Sequence, residues 1–188
     1  MLVVACSVRD VFAQLHEERN RDPLTRLLNR RAFMEAANGV LRDRRSGPWA
    51  VVVGDIDHFK QVNDNWGHAC GDQVLQQTSL VLQQQVRQGD LVARFGGEEF
   101  VLLLQRASLD DAQGVVQRMR QQLESADVAG LPNGRRVTVS FGIAPVQSLE
   151  QLSKALSRAD ALLYEAKQAG RNRVRVDAEA RTAGMGAL

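Results

Sequence analysis

Residues 91–104 read LVARFGGEEFVLLL. Two apolar runs of strand length, Leu91 to Phe95 and Phe100 to Leu104, flank the residues Gly96-Gly97-Glu98-Glu99. A glycine pair between two such runs is typical of the tight turn of a β-hairpin. The stretch therefore predicts two antiparallel strands with a pair of acids near the tip.

A further strand is predicted upstream of this hairpin. Trp49 to Val53 is a continuous and largely β-branched apolar run, which indicates a strand buried on both faces, and it ends in Gly54-Asp55-Ile56-Asp57. The polar stretch around Asn63, Gly67 and Gly71 is predicted to be a loop. Apolar periodicity predicts the remaining elements: helices at about 29–44, 72–86, 109–126 and 149–169, and strands at about 137–143 and 173–176.

The order of these elements predicts an α+β fold. The core reads β-α-β-β-α-β with extra helices, which is the ferredoxin-like or palm arrangement, and we expect its helices on one face of the sheet. The length of 188 residues suits one compact domain. Residues 7–21 form an additional polar helix in this prediction, with an apolar seam that suits a lead-in helix or a short coiled coil.

The overall composition excludes several functional classes. A formal net charge of +2 is too small for bulk binding to DNA or RNA, which needs a concentrated basic face. Cys6 and Cys70 show no zinc-type spacing and are expected to be free thiols in a reducing compartment. The apolar run Met1 to Cys6 is far too short to span a bilayer.

The predicted strand ends bring several carboxylates together. Asp55 and Asp57 are two residues apart at the end of a buried strand, so their side chains should project from one face. If that strand and the hairpin are neighbours, Asp55 and Glu98 converge, and their oxygen ligands suit magnesium. Taken alone, each motif is better explained by acids in a solvated turn. Together they leave a metal site for phosphoryl transfer and two solvated turns as open alternatives.

Six blocks of sequence, in order, resemble the GGDEF family of diguanylate cyclases, and the match covers about 22–176. The signature itself appears in its GGEEF form. The blocks are DPLTRLLNRR at 22–31, DIDHFKQVND at 55–64, GHACGD at 67–72, FGGEEF at 95–100, VSFGIA at 139–144, and ADALLYEAK at 159–167 with GRN at 170–172.

This resemblance implies a metal-dependent nucleotidyltransferase. It implies that the magnesium ion, with manganese as the alternative, is held by Asp55, Glu98 and the backbone carbonyl of Ile56, with Glu99 as a further ligand. Glu98 would also assist deprotonation of the attacking 3′-hydroxyl and is therefore the catalytic residue. The reaction implied is the condensation of two GTP molecules into cyclic di-GMP and two pyrophosphates across a two-fold homodimer, transient in the isolated domain.

The resemblance also implies a substrate pocket and an inhibitory site. The residues expected to bind GTP are Phe59, Lys60, Asn63, His68, Asp72, Gly96, Gly97, Lys167 and Arg171. Within this set, Asn63 and Asp72 would read guanine, and Lys167 and Arg171, four apart on the last helix, would share a face and bind phosphate. Arg87 and Asp90 resemble the RxxD motif that binds the product as an inhibitor, with Arg118 as a further arginine.

The implied organisation is a lead-in helix at 1–21, a remnant of a linker from an upstream domain, a GGDEF catalytic domain at 22–177 and a flexible tail at 178–188. GTP use implies a cytoplasmic location, with membrane anchoring through an upstream segment left open, and an upstream sensor domain. Three alternatives remain: a non-catalytic module that binds GTP or cyclic di-GMP, a template-directed polymerase, and a dimerisation module that acts through its N-terminal helix.

Overall fold

The computed structural model describes residues 19–42, 47–132, 134–178 and 180. The predicted lead-in helix up to residue 18, most of the predicted tail and Cys6 lie outside these residues. The helices and strands are β1 (Leu28–Asn29), α1 (Arg30–Leu41), β2 (Trp49–Ile56), α2 (Phe59–Gln85), β3 (Leu91–Gly96), β4 (Glu99–Gln105), α3 (Leu109–Ser125), β5 (Val139–Val146), α4 (Leu152–Gln168) and β6 (Val174–Val176). A short 3₁₀ turn, Leu149–Gln151, precedes α4.

The strands form one mixed sheet in the order β1-β3-β4-β2-β5-β6. The strand β2 lies near the centre and pairs antiparallel with both β4 and β5. The outermost strands are β1, which pairs in parallel with β3, and β6, which pairs in parallel with β5. The inner four strands, with α2 and α3 as their connections, confirm the predicted α+β palm arrangement.

Helices cover both faces of the sheet, so the expectation of helices on one face is wrong. Ala50 and Val52 of β2 face the core shared with α2 and α3, whereas Val51 and Val53 face the core shared with α1 and α4. Every residue from Trp49 to Val53 is at most 4% exposed. A central strand that is apolar on both faces needs cover on both, and the extra helices supply it.

The helix α2 begins at Phe59, where the sequence predicted a loop as far as residue 71. Phe59 and Val62 are buried against the core, and this short apolar stripe anchors a first helical segment despite its polar surroundings. Gly67, at φ 81° and ψ 164°, breaks the helix into two segments. The loop prediction is therefore wrong, and the glycine marks a kink instead.

Two further features concern the cysteine and the helices of the described residues. Cys70 is a free, buried thiol, and burial raises its pKa. No helix within the described ranges is both long and apolar enough to cross a lipid bilayer.

Candidate active site

The end of β2 and the tip of the β3–β4 hairpin meet at one edge of the sheet. Asp55 of β2 lies opposite Glu99 of β4 in the register. One residue on, the Ile56 N–H donates to the carbonyl oxygen of Glu98 at 3.4 Å. The strands extend to Gly96 and Glu99, so only Gly97 and Glu98 form the tip. The structure thus brings Asp55 and Glu98 together, as the sequence predicted.

Asp55 is a largely buried carboxylate with one cationic partner. Its side chain is 14% exposed and its Oδ1 lies 2.8 Å from the Nζ of Lys167 on α4. Burial raises the pKa of Asp55 to about 6, although Lys167 opposes that shift, and the neighbouring charges of Glu98 and Glu99 raise it further. The charges of Glu98 and Glu99 act on Asp55 in addition to that of Lys167, and this excess of negative charge favours a bound cation.

The oxygen donors at this edge suit a magnesium ion that takes its other ligands from water and substrate. Among the described residues, no group of three or more His, Cys, Asp or Glu side chains is arranged to hold a metal ion. Magnesium, however, is commonly bound by one or two carboxylates together with waters and substrate phosphates. The carboxylates of Asp55 and Glu98 and the carbonyl of Ile56 therefore fit an ion that arrives with a triphosphate.

The hairpin tip is held by a network that the sequence did not reveal. The guanidinium of Arg94 donates to the carbonyl oxygen of Gly97 at 2.9 and 2.7 Å and pairs with Asp22 at 3.1 Å. Asp22 also accepts from the N–H and the hydroxyl of Thr25, at 2.8 and 2.7 Å. Burial alone would raise the pKa of Asp22, but the bonds from Thr25 and Arg94 outweigh it and hold that pKa below its ordinary value.

The two signature glycines are required by backbone conformation. Gly96 has φ 148° and Gly97 has φ 51°, both in the region that L side chains rarely adopt. A Cβ at either position would meet nothing within 4 Å. Open space therefore lies above the tip, where a nucleotide can approach the backbone closely.

The kink in α2 lies between Asn63 and Asp72, the two residues that were predicted to read guanine. A Cβ on Gly71 would lie 2.0 Å from the Oδ1 of Asn63, so the glycine makes room for that amide. Asn63 is thereby placed next to the residue that precedes Asp72. Asp72 and His68 are both exposed. Asn63 and Asp72, the predicted guanine-reading pair, therefore lie on either side of the kink at Gly67, with Asn63 packed against Gly71.

The predicted phosphate-binding residues occupy different settings. The ring of Phe59 is buried in the core, so only its backbone is available to a phosphate, whereas Lys60 is exposed on the first turn of α2. Arg171 lies beyond the end of α4 at Gln168, so the prediction that it shares a helix face with Lys167 is wrong. Gly170 ends the helix at φ 111°, and the Arg171 N–H bonds back to the Ala166 carbonyl at 3.1 Å.

Asp57 faces the same side of the sheet as Asp55 but contacts different groups. It is 5% exposed and accepts from the hydroxyls of Thr138 and Ser140, each at 2.7 Å. The backbone N–H of Asn172 donates to it as well, at 3.0 Å. The sequence pattern of two acids at a strand end gave no sign of this difference.

Comparison with known proteins identifies the family. The profile described as "Diguanylate cyclase, GGDEF domain" matches residues 19–173. The chain belongs to the GGDEF family. This GGDEF domain is 38% identical over 180 residues to diguanylate cyclase DgcM of Escherichia coli K12, covering 92% of this chain and 43% of that protein. It is 35% identical over 177 residues to the probable diguanylate cyclase DgcT of the same strain, covering 93% of this chain and 39% of DgcT.

A solved structure resembles this GGDEF domain closely. The coiled coil and GGDEF domain of DgcB from Caulobacter crescentus, in complex with c-di-GMP, superposes with a TM-score of 0.84 at 30% identity. The match covers 90% of this chain and 92% of that one. The chain spans less than half the length of the two curated relatives named above.

The RxxD segment of this GGDEF domain forms a capped turn between α2 and β3. Asp90 accepts from the Arg87 N–H at 2.9 Å and from the Gln105 N–H at 2.8 Å, so both of its oxygens bond to backbone. The side chains of Arg87 and of Arg118, on α3, are exposed. The turn therefore places Arg87 at the surface, while Asp90 fixes the turn.

Proposed function

We propose that this chain is the catalytic domain of a diguanylate cyclase, which condenses two GTP molecules into cyclic di-GMP and two pyrophosphates. The observation that carries the proposal is the meeting of Asp55, Glu98 and Lys167 at one edge of a palm-type sheet. The naming of the curated relatives as diguanylate cyclases supports it.

The proposed metal ligands are the carboxylates of Asp55 and Glu98 and the carbonyl of Ile56, with Glu99 as a further ligand. Magnesium suits these hard oxygen donors, and manganese is the alternative. A bound divalent ion would offset the triphosphate charge and the charge that develops on the transferred phosphorus. The raised pKa of Asp55 supports the proposal, because burial, and to a smaller extent the charges of Glu98 and Glu99, make the bare carboxylate costly and a bound cation would stabilise it.

Cationic and backbone groups around that edge would hold the triphosphate. The ammonium of Lys167 would exchange its contact with Asp55 for a phosphate oxygen, since both are anionic acceptors at short range. Lys60, the Phe59 N–H and Arg171 are the other proposed phosphate ligands. Gly96 and Gly97 would let the nucleotide approach the hairpin tip, above which the structure is open.

The chemical step is a displacement at phosphorus. The 3′-hydroxyl of one GTP forms a bond to the α-phosphorus of the other, the bond from that phosphorus to the bridging oxygen breaks, and pyrophosphate leaves with the electron pair. Glu98 would accept the hydroxyl proton, because its carboxylate lies at the tip beside the metal site. Two such steps close the ring.

Guanine would be recognised at the kink of α2. The amide of Asn63 and the carboxylate of Asp72 match the acceptor and donor edges of the base, and His68 would line the same pocket. The close fit of Asn63 against Gly71 supports this assignment, since it restricts the orientation of the amide.

One domain holds one GTP, so we propose that two domains meet across a two-fold axis. The homodimer would be transient in the isolated domain, and an upstream sensor domain would control it. The product would inhibit through Arg87, Asp90 and Arg118. Because the substrate is GTP, we place the activity in the cytoplasm, without excluding a membrane anchor upstream; DNA and RNA are not proposed as partners.

The test of this function is Glu98→Gln, which keeps the shape of the side chain and removes its charge. We expect no cyclic di-GMP from the variant, an unchanged thermal melt and retained GTP binding. Glu150→Gln, at an exposed position in the 3₁₀ turn, is the matched control and should cyclise GTP at the wild-type rate. Full activity in Glu98→Gln would remove Glu98 from its role. Tight nucleotide binding without turnover in the wild type would favour the non-catalytic binding module.

A further inference from the structure

The loop that follows α4 has an unusual backbone. Gly170, Arg171 and Asn172 have φ values of 111°, 62° and 46° in succession. A non-glycine residue with positive φ is uncommon, and it persists only where the surrounding structure determines it. Two such residues in a row, the first of them the proposed phosphate ligand Arg171, must therefore be held by contacts with the rest of the fold.

Asp57, the first residue after β2, supplies that support. Its Oδ2 accepts the backbone N–H of Asn172 at 3.0 Å and the hydroxyl of Thr138 at 2.7 Å, while its Oδ1 accepts the hydroxyl of Ser140 at 2.7 Å. The Asp57 N–H also donates to the Thr138 carbonyl at 2.8 Å. A carboxyl group that is 5% exposed and accepts three hydrogen bonds has both of its oxygens satisfied by the protein itself.

The side chain of Asn172 fastens the other side of the same loop. Its Oδ1 accepts from Arg120 at 2.8 Å and its Nδ2 donates to Glu124 at 2.8 Å, both on α3. Arg120 and Glu124 also pair with each other at 2.8 Å. Asn172 is thus held through its backbone by Asp57 and through its side chain by α3, and Arg171 is the residue immediately before it.

We propose that Asp57 is a positioning residue, which holds the left-handed loop so that Arg171 is presented to the triphosphate of GTP. The proposal rests on the function proposed above. The proposal gives different roles to two acids that are two residues apart. Asp55 contacts Lys167 near the end of α4, whereas Asp57 contacts Asn172 in the loop that follows α4. Asp57 acts through hydrogen bonds and is not a metal ligand.

The first test compares Asp57→Ala with Thr138→Val. The alanine variant removes the acceptor for the Asn172 N–H, whereas the valine variant removes one hydroxyl donor from the same buried cluster and leaves that acceptor in place. We expect hydrogen exchange of the Asn172 amide to accelerate at least about tenfold in Asp57→Ala and little in Thr138→Val. Equal exchange rates at Asn172 in wild type and Asp57→Ala would overturn the proposal.

The second test asks whether Asp57 acts through Arg171. We expect Asp57→Ala and Arg171→Ala each to raise the KM for GTP about tenfold or more with a smaller effect on kcat, and the double variant to be little worse than Arg171→Ala alone. Fully additive effects on KM would overturn the proposal. If the wild type forms no cyclic di-GMP, the proposed function is wrong. The two single variants and the double variant are then compared by their Kd for GTP instead of their KM.

The conservative variant Asp57→Asn distinguishes a positioning role from metal binding. It also controls for loss of the fold in Asp57→Ala. The amide of Asp57→Asn can still accept from Asn172 and Thr138 while donating to Ser140, so we expect near-wild-type KM and exchange rates. The same change at Asp55 should abolish turnover, because it removes a proposed metal ligand. Loss of activity in Asp57→Asn as complete as in Asp55→Asn would contradict the positioning role.

Discussion

The Nζ of Lys167 lies 2.8 Å from the Oδ1 of Asp55, joining the last helix to the end of the central strand. Both side chains are partly shielded, with 31% and 14% of their surfaces exposed. This ammonium is the cation that the structure places directly on Asp55. The pair therefore links the proposed metal ligand to a group that is well placed to move onto a phosphate.

Lys167→Met should weaken GTP binding about tenfold or more, because it removes a charge-assisted hydrogen bond from a partly buried site. It should also decrease the magnesium concentration needed for half-maximal activity at a pH well above the pKa of Asp55, since the site loses the positive charge that competes with the metal ion for this carboxylate. Titration of GTP and of magnesium in turnover assays measures both effects. Lys154→Met, at an exposed position near the start of α4, is the control and should leave both unchanged.

Gly71→Ala should raise the KM for GTP while preserving the fold. The new methyl group would lie 2.0 Å from the Oδ1 of Asn63, so the amide must rotate away from its present orientation. The control is Gly39→Ala, on an exposed part of α1 with nothing within 4 Å, which should keep the wild-type KM and gain up to about 1 kcal/mol of stability. Identical KM values in the two variants would argue against guanine recognition by Asn63.

Asp22→Asn should lower the free energy of unfolding by about 1–2 kcal/mol at neutral pH, because it weakens the bonds to Arg94 and Thr25. The pKa of Asp22 is lower in the folded chain than its ordinary value of 3.8. The ionised Asp22 carboxylate therefore makes its full contribution to the free energy of unfolding above pH 3.8, and this contribution is lost as the pH falls through the pKa of Asp22 in the folded chain. Denaturant titrations at pH 7 and near pH 3 should show the difference between wild type and variant shrinking in acid. A difference that stays constant between those two pH values would contradict this account of Asp22.

Arg87→Ala should relieve product inhibition and leave the initial rate unchanged. The guanidinium is exposed and the turn is held by Asp90, so its loss should raise the inhibition constant for cyclic di-GMP about tenfold or more. Asp90→Ala should differ by also lowering the melting temperature, because two backbone N–H groups lose their acceptor. Inhibition that is unchanged in Arg87→Ala would place the product elsewhere.

The predictions made from sequence succeeded where a local pattern determines the structure. The hairpin and the central strand follow from apolar runs bounded by glycine and acids, and the register that unites Asp55 with the hairpin follows from their pairing. The sequence predictions failed where the local sequence is compatible with more than one secondary structure. The first segment of α2 looks like a loop, because only Phe59 and Val62 anchor it in a polar stretch.

Long-range contacts account for most of what the sequence did not reveal. Arg94 and Asp22 are 72 residues apart, and Asp57 and Asn172 are 115 apart, so no local spacing signals either bond. The spacing of four residues predicts one helix face for Lys167 and Arg171, but α4 ends at Gln168 and Arg171 lies in the loop after it. The family resemblance identified the candidate site residues, and the structure showed which groups hold some of them in place.

The central claim is tested most directly by incubating the purified chain with GTP and magnesium at several protein concentrations and quantifying cyclic di-GMP by chromatography. The account predicts product, with a rate per molecule that rises with protein concentration, because two domains must meet to complete one site. A rate per molecule that is independent of concentration, in a chain that remains monomeric, would contradict the two-domain mechanism. An absence of product with GTP bound would contradict catalysis by this domain.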